Sequence, residues 1–362
     1  MGSKRIYRLD SLDVLRGITI ALMIIVNSPG NASPYPWLTH SAWNGCSLAD
    51  LVFPFFMVIV GISCHLSLHH GPSNHLTHRS MVRKISARCL YLFCIGLLLN
   101  AFPYHFDLHT LRIPGVLQRI ALCYAVVATL SLTTSIRTQS IILAVLLIGY
   151  WFILIESQAW YPWTATQNIT SVIDRVLLSA QHLYTPQYDP EGLLSTLPAI
   201  ASCLLGNLIG YTLMQCSSQR QQLYYIIGIG TLLCIFGWIW SLYFPLNKTL
   251  WTSSYVLWSS GLCSLLFAGC FWLIEIKQMP RWWNPFALMG KNALLIYMVH
   301  IVLLKIQAIV HIDKGSGQLE NLRVYITSSL FSGLTPQNAA LAYACAFTLF
   351  CYGILLCKSY RK

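Results

Sequence analysis

Charge is what this chain has least of. Asp, Glu, Lys and Arg together make up 9% of its 362 residues, and only 11 are acidic. Soluble domains carry about a quarter charged residues, so an ordinary soluble globule is excluded. No Cys-x-x-Cys pair occurs among the 13 cysteines, which removes the common redox and zinc-ribbon arrangements. Most cysteines, Cys64, Cys123 and Cys263 among them, fall inside apolar runs and read as small hydrophobes. Cys46 lies in a loop and by itself makes no disulfide framework. Internal repeats and low-complexity segments are also missing. A cleavable leader is not expected, because the basic start Met1–Arg8 precedes a long apolar run without a small-residue cleavage site. Met1-Gly2 lacks the rest of a myristoylation motif.

What is there is apolar: 56% of residues are hydrophobic and the mean hydropathy is +0.59. A spanning helix needs about 20 mostly apolar residues. Runs of that kind lie near 12–28, 48–68, 85–102, 113–133, 139–156, 193–214, 222–243, 252–274, 286–308 and 337–357. Lys291-Asn292 and His300 interrupt the ninth, and 311–336 reads as a further partial segment. The expected fold is therefore an all-α integral membrane protein of about ten transmembrane helices, one domain over 1–362. Its net charge of +12 is explained by a one-sided bias rather than by nucleic acid. Of the 23 Lys and Arg, 16 fall within 4–16, 79–88, 277–291 and 358–362 or at Arg137 and Arg220, on one side of the predicted spans. The positive-inside rule makes that side and both termini cytoplasmic, leaving loops 29–47, 157–192 and 309–336 outside. The sequons at Asn31, Asn168 and Asn247 fall on the outer side.

The most informative stretch is His40-Ser-Ala-Trp-Asn-Gly-Cys-Ser-Leu-Ala-Asp50-Leu-Val-Phe-Pro54, set between the first two runs. Ionisable groups at a bilayer boundary cost free energy, so such a cluster is a functional candidate. His40 can serve as general base or nucleophile near neutral pH, or be an ordinary loop histidine. Asp50 would orient its ring, and Asn27, at the outer end of the first helix, would hold an oxyanion. Asp13 and Arg16 are three apart; they either pair on one helical face or wall a cytoplasmic pocket. Arg112 opens the fourth helix from outside, and Arg119, about 10 Å deeper, needs a buried partner or a polar substrate group. The aromatic loop 157–192 offers rings for stacking on a sugar or for anchoring at the interface. Near the cytoplasmic side, His69, His70, His75 and His78 lack a carboxylate and regular spacing, so no metal site is expected. The neighbouring cations suit anionic lipid or the phosphates of a nucleotide-bearing cofactor. His300 is a second intramembrane histidine.

With these residues in view, the chain resembles the heparan-α-glucosaminide N-acetyltransferase family. The resemblance rests on Arg8 to Gly17, Val26-Asn27, the His40–Pro54 string, Leu111-Arg-Ile-Pro-Gly-Val-Leu-Gln-Arg119, Tyr188-Asp-Pro-Glu-Gly-Leu-Leu194 and Asn292 through His300. It implies transfer of an acetyl group from cytoplasmic acetyl-CoA to the amine of a terminal glucosamine on the far side. His40 matches the family's active-site histidine and Asn27 its partner, with Asp50 in support. Asp13, Arg16, Arg83, Arg88 and Arg119 are the expected contacts of acetyl-CoA. Trp43, Arg112, Glu191 and His300 are those of the amino-sugar acceptor. Lysosomal members carry an extra N-terminal segment and span, so this chain is more similar to compact bacterial relatives. That implies a bacterial inner membrane with His40 facing the periplasm. The lipid bilayer is then the expected surrounding and a homodimer the candidate assembly. Two rivals share features. Membrane O-acyltransferases of the acyltransferase-3 type resemble Leu12–Gly17 but place a histidine where this chain has Asn27. A sugar transporter would also carry intramembrane polar groups.

Overall fold

Every one of the ten apolar runs is helical in the computed structural model, which describes residues 9–69, 77–103, 107–160, 163–313 and 319–360. Thirteen α-helices are present among the described residues. They are α1 (Asp10–Asn27), α2 (Leu48–His69), α3 (His78–Ala101), α4 (Val116–Thr133), α5 (Ile136–Ser157), α6 (Ile169–Leu178) and α7 (Thr196–Gln215), then α8 (Gln219–Ser241), α9 (Ser253–Phe271), α10 (Asn284–Lys291), α11 (Ala293–Ile309), α12 (Leu322–Leu330) and α13 (Pro336–Tyr360). Seven are long and apolar enough to cross a membrane, and the α10–α11 pair, bent by 84°, would make an eighth. The bend falls at Asn292, where the sequence breaks its apolar run. Helices α1 and α3 match the others in length but carry more charge, Asp10, Asp13 and Arg16 in the first and Arg79, Arg83, Lys84 and Arg88 in the second. The chain is an all-α membrane protein. Among its described residues the region 311–336 holds no span: β1 (His311–Asp313) pairs antiparallel with β2 (Leu319–Asn321), and the short α12 follows.

Contacts sort the helix termini into two ends of the bundle. At one end Lys291 approaches Asp10 at 3.8 Å, Ser11 bonds Glu275, and His69 bonds Ser131 at 3.0 Å. At the other, Asn31 reaches Pro336, Trp43 reaches Trp163, and Gly45 donates to Leu246. The first end carries the residues of the predicted cytoplasmic side, the second those of the predicted outer loops.

Helix α2 runs through the centre, against α1, α4, α7 and α9. In lipid no hydrophobic force draws helices together, so close approach through small residues replaces it. A Cβ on Gly61 of α2 would stand 1.9 Å from the Cys203 carbonyl oxygen, and one on Gly206 of α7 would stand 2.1 Å from that of Val58. Around this crossing Val58, Ile59 and Ile62 pack with Ile209, Leu213, Phe267 and Phe271. On the periphery, Ile141, Val145 and Phe152 of α5 and Leu232, Phe236 and Trp238 of α8 are exposed, as a lipid-facing surface requires.

Because backbone rather than a pliable side chain fills the space at the crossing, Gly61→Val should destabilise the fold by about 3 kcal/mol. Gly228→Ala, with nothing within 4 Å of its added carbon, should leave stability unchanged. Thermal unfolding of both variants in detergent makes the comparison.

Candidate active site

The site begins with a helix cap. Asp50 closes the start of α2 onto Ser47, as one half of a capping box does: Asp50 N–H donates to the Ser47 carbonyl at 3.1 Å, and the Asp50 carboxylate accepts from the Ser47 N–H and hydroxyl, both at 3.0 Å. A carboxylate there also meets the positive end of the helix dipole. Four residues on, Pro54 has no N–H, so the Asp50 carbonyl loses its helical partner. The Tyr255 hydroxyl of α9 supplies the missing donor at 2.5 Å. Asp50 is thus fixed through both backbone and side chain.

Its carboxylate accepts two further bonds, from the Ser41 N–H at 3.1 Å and from His40 Nδ1 at 2.8 Å. All its partners are donors, so the carboxylate is ionised and Nδ1 carries the proton of their bond. The Nε2 lone pair is then left available. Asp50's side chain is 2% exposed and that of His40 49%: a dry carboxylate orients a half-wet imidazole. Lys248 completes the group, its Nζ 3.2 Å from His40 Nδ1, 3.4 Å from Nε2 and 3.8 Å from Asp50 Oδ1. Burial lowers the Lys248 ammonium below the usual lysine range, while Asp50 pulls it back up. Nearby, burial and the Asp50 charge push the Cys46 thiol up to about 12, so it is neutral and inert at pH 7.

A second polar layer covers this end. Arg112 forks onto Asp189 at 2.9 and 2.7 Å, bonds Glu191 at 2.5 Å, and lies over the Tyr184 ring. Asp189 in turn accepts from the Tyr184 and Glu191 N–H groups, which closes the 184–191 loop. Arg119 is buried; its Nη2 donates to the Gly192 carbonyl at 3.0 Å and to Ser195 Oγ at 2.5 Å, and its guanidinium lies over Trp251. Asp174 accepts from the Leu193 N–H at 2.8 Å and is buried; burial raises its carboxyl to about 6.

Of the expected site residues, the structure brings His40 and Asp50 together, with Trp43 close by: its indole donates to the Trp163 carbonyl and its ring meets Tyr188 edge-on. Asn27 ends α1 and is exposed; no hydrogen bond joins it to His40 or Asp50 among the described residues. Arg112 and Glu191 hold each other. Asp13 and Arg16 pair at 3.0 Å, and Arg16 also reaches Ser63, which fits the charge-paired helix start. Arg83 and Arg88 are exposed on α3, Arg88 over the Tyr124 ring. His300 is buried against Tyr297. Asn168 and Asn247 are buried, Asn168 as the cap of α6 and Asn247 as a brace bonded to Asn44, so they are structural residues and poor glycan acceptors. His70 and His75 lie outside the described residues, as does the side chain of His78. Lys248 and Tyr255 escaped the sequence reading. Pro54, four residues after Asp50, was the available signal for Tyr255; Lys248 left none.

A polytopic helical membrane protein with a carboxylate–imidazole–ammonium group at one end is the class these features define. The family follows from comparison: residues 8–245 match the model for the catalytic region of heparan-alpha-glucosaminide N-acetyltransferase, and the chain belongs to that family. It is 30% identical over 360 residues to the human heparan-alpha-glucosaminide N-acetyltransferase, covering 82% of this chain and 53% of that protein. The mouse protein of the same name is 29% identical over 363 residues, covering 82% and 54%. The chain spans about half the length of the curated relatives it matches.

Two outcomes follow. Arg112→Ala strips the buried Asp189 of its cation and should cost about 3–5 kcal/mol; Arg112→Lys should recover only part, since an ammonium lacks the planar fork. Unfolding in detergent measures both. For Asp174, the folded pKa of about 6 lies above the ordinary 3.8, so folding favours the protonated form. That contribution is complete below pH 3.8 and is lost as pH rises through about 6. Asp174→Asn keeps the acceptor for Leu193 and should flatten the fall in unfolding temperature over that window.

Proposed function

We propose that this chain is a transmembrane N-acetyltransferase that moves an acetyl group from acetyl-CoA to the amine of a glucosamine-type sugar. The observation that carries the reading is the His40–Asp50 pair: a carboxylate held dry by donors fixes the ring, and the histidine side chain is itself half exposed. Family membership supports the reaction type, and the names of the human and mouse relatives supply the acceptor class.

The reaction runs in one ternary complex. His40 Nε2 takes a proton from the acceptor amine as its nitrogen attacks the thioester carbonyl. The new N–C bond forms while the carbonyl π electrons move onto oxygen. The tetrahedral intermediate then collapses, the C–S bond breaks, and the departing thiolate takes the proton from the His40 imidazolium. Asp50 stabilises that imidazolium, as the carboxylate of a triad does. Asn27, at the free end of α1, is the proposed amide partner of the oxyanion. Acetyl carriage on His40 itself is the variant mechanism, and a burst of released CoA without acceptor would mark it.

The Lys/Arg bias supports a cytoplasmic donor side and His40 on the opposite face, the periplasm if the membrane is a bacterial inner membrane. Exposed Arg83 and Arg88 are suited to the CoA phosphates. Arg119 bonds Gly192 and Ser195, at the opposite end of the bundle.

Purified protein given labelled acetyl-CoA and glucosamine should form N-acetylglucosamine. His40→Ala should lower kcat at least about a hundredfold, and Asp50→Asn should lower it while leaving the fold intact. Acetylation of a sugar hydroxyl in preference to the amine would point to an O-acyltransferase. Sugar flux without consumption of acetyl-CoA, undiminished in His40→Ala, would sink the enzyme reading.

A further inference from the structure

Lys248 is held more firmly than a surface lysine. It sits on the turn between α8 and α9, where Trp251 adopts the left-handed region (φ 53°) although it is a bulky residue. Such strain persists only when the surroundings over-determine it, and here they do. The Trp251 side chain is buried beneath Arg119 and donates to Ser202 Oγ at 3.1 Å. The Asn247 side chain accepts from the Leu250 N–H at 2.8 Å and donates to Asn44 at 3.1 Å, and the Asn247 N–H donates to Thr252 Oγ1 at 3.1 Å. Gly45, at φ 121°, donates to the Leu246 carbonyl at 2.8 Å, so the turn is stitched directly onto the His40 segment. All of this fixes where the Lys248 backbone leaves the turn, and its ammonium arrives almost equidistant from the two nitrogens of His40.

With Nδ1–H committed to Asp50, the Nε2 lone pair is left in the ring plane for a polar atom of a reactant, and the ammonium, nearly equidistant from both nitrogens, stands over the ring beside that position. A base works on an amine about 3 Å away. The carbonyl under attack by that amine then has its oxygen within reach of a donor 3.4 Å from the same ring nitrogen. A fixed positive charge in a partly dry site is the most effective stabiliser of charge that develops only in the transition state.

We propose that Lys248 is a catalytic residue of this site: its ammonium donates a hydrogen bond to the thioester carbonyl oxygen as that oxygen becomes an oxyanion. No proton is transferred from Lys248; the electron pair that moves onto oxygen during attack returns when the C–S bond breaks. The role rests on the acetyl-transfer reading above and adds a charged donor to the amide of Asn27.

Lys248→Met tests it, with N-acetylglucosamine formation as the readout beside unfolding temperature. The expected result is a loss of about 10²–10³ in kcat with KM for acetyl-CoA and for glucosamine nearly unchanged. Added methylammonium should restore part of the rate to Lys248→Ala by filling the vacated position. Should Lys248→Met not fold, Lys248→Arg and the rescue of Lys248→Ala carry the same decision. Retention of kcat within about threefold, or a loss that methylammonium does not relieve, overturns the role while the acetyl-transfer reading stands. Wild-type protein that transfers no acetyl group to any amino sugar overturns both together.

Discussion

The carboxylate of Asp50 is the constraint on which the rest of the site depends. It cannot be dry and ionised without donors on every side, and the chain supplies them from separate places. Ser47 and Ser41 come from the preceding loop, His40 from the same loop, and Lys248 from a distant turn. The missing N–H of Pro54 adds a backbone requirement at the same residue, and Tyr255 meets it from α9. One buried charge therefore ties the N-terminal ends of α2 and α9 and the α8–α9 turn into a single unit. Removing any one donor would leave the others facing an under-satisfied anion, which is expensive where water is scarce.

Small residues and buried charges divide the work between depth and surface. In the bundle interior, where backbones touch at Gly61 and Gly206, contact is apolar and shape decides register. At the end that carries His40, contact is polar and donor counting decides it. Arg112 with Asp189 and Glu191, and Arg119 on Gly192 and Ser195, lock the 184–195 segment to the start of α4. Trp43 and Trp163 then join that layer to the His40 loop. A site built on loops acquires the rigidity usually found on helices because its charged groups are held by partners from separate segments.

Much of this was legible in the sequence, for reasons that differ by element. The helical runs follow from apolar length, although among the described residues seven or eight rather than ten are apolar enough to span, because α1 and α3 carry more charge. The break at Asn292 follows from polar residues inside such a run. The His40–Asp50 pair could be read because both lie in one short polar segment between two apolar runs. Arg112 and Glu191 were read as substrate contacts from the resemblance, and their pairing with each other across a long loop could not be inferred from spacing. In the structure each satisfies the other. The same blindness hid Lys248, which is 208 positions from His40 in the chain, and it left two sequons looking available when their asparagines are interior braces. Local chemistry is visible in sequence; closure between distant loops is not.

The contrast between a dry carboxylate and a half-wet imidazole is what the proposed transfer requires. The acceptor sugar is bulky and polar, so it must reach the base from water without crossing the bilayer. The orienting groups gain from the opposite condition, since a charge–dipole interaction weakens as solvent enters. Placing Asp50 within the first turn of a buried helix and His40 on the loop just outside it meets both demands across a single 2.8 Å bond. In the proposed transfer, the acceptor would exchange at the wet face of the ring while the dry face stays organised between turnovers. Electrostatic assistance then comes from groups that do not have to move when the reaction begins.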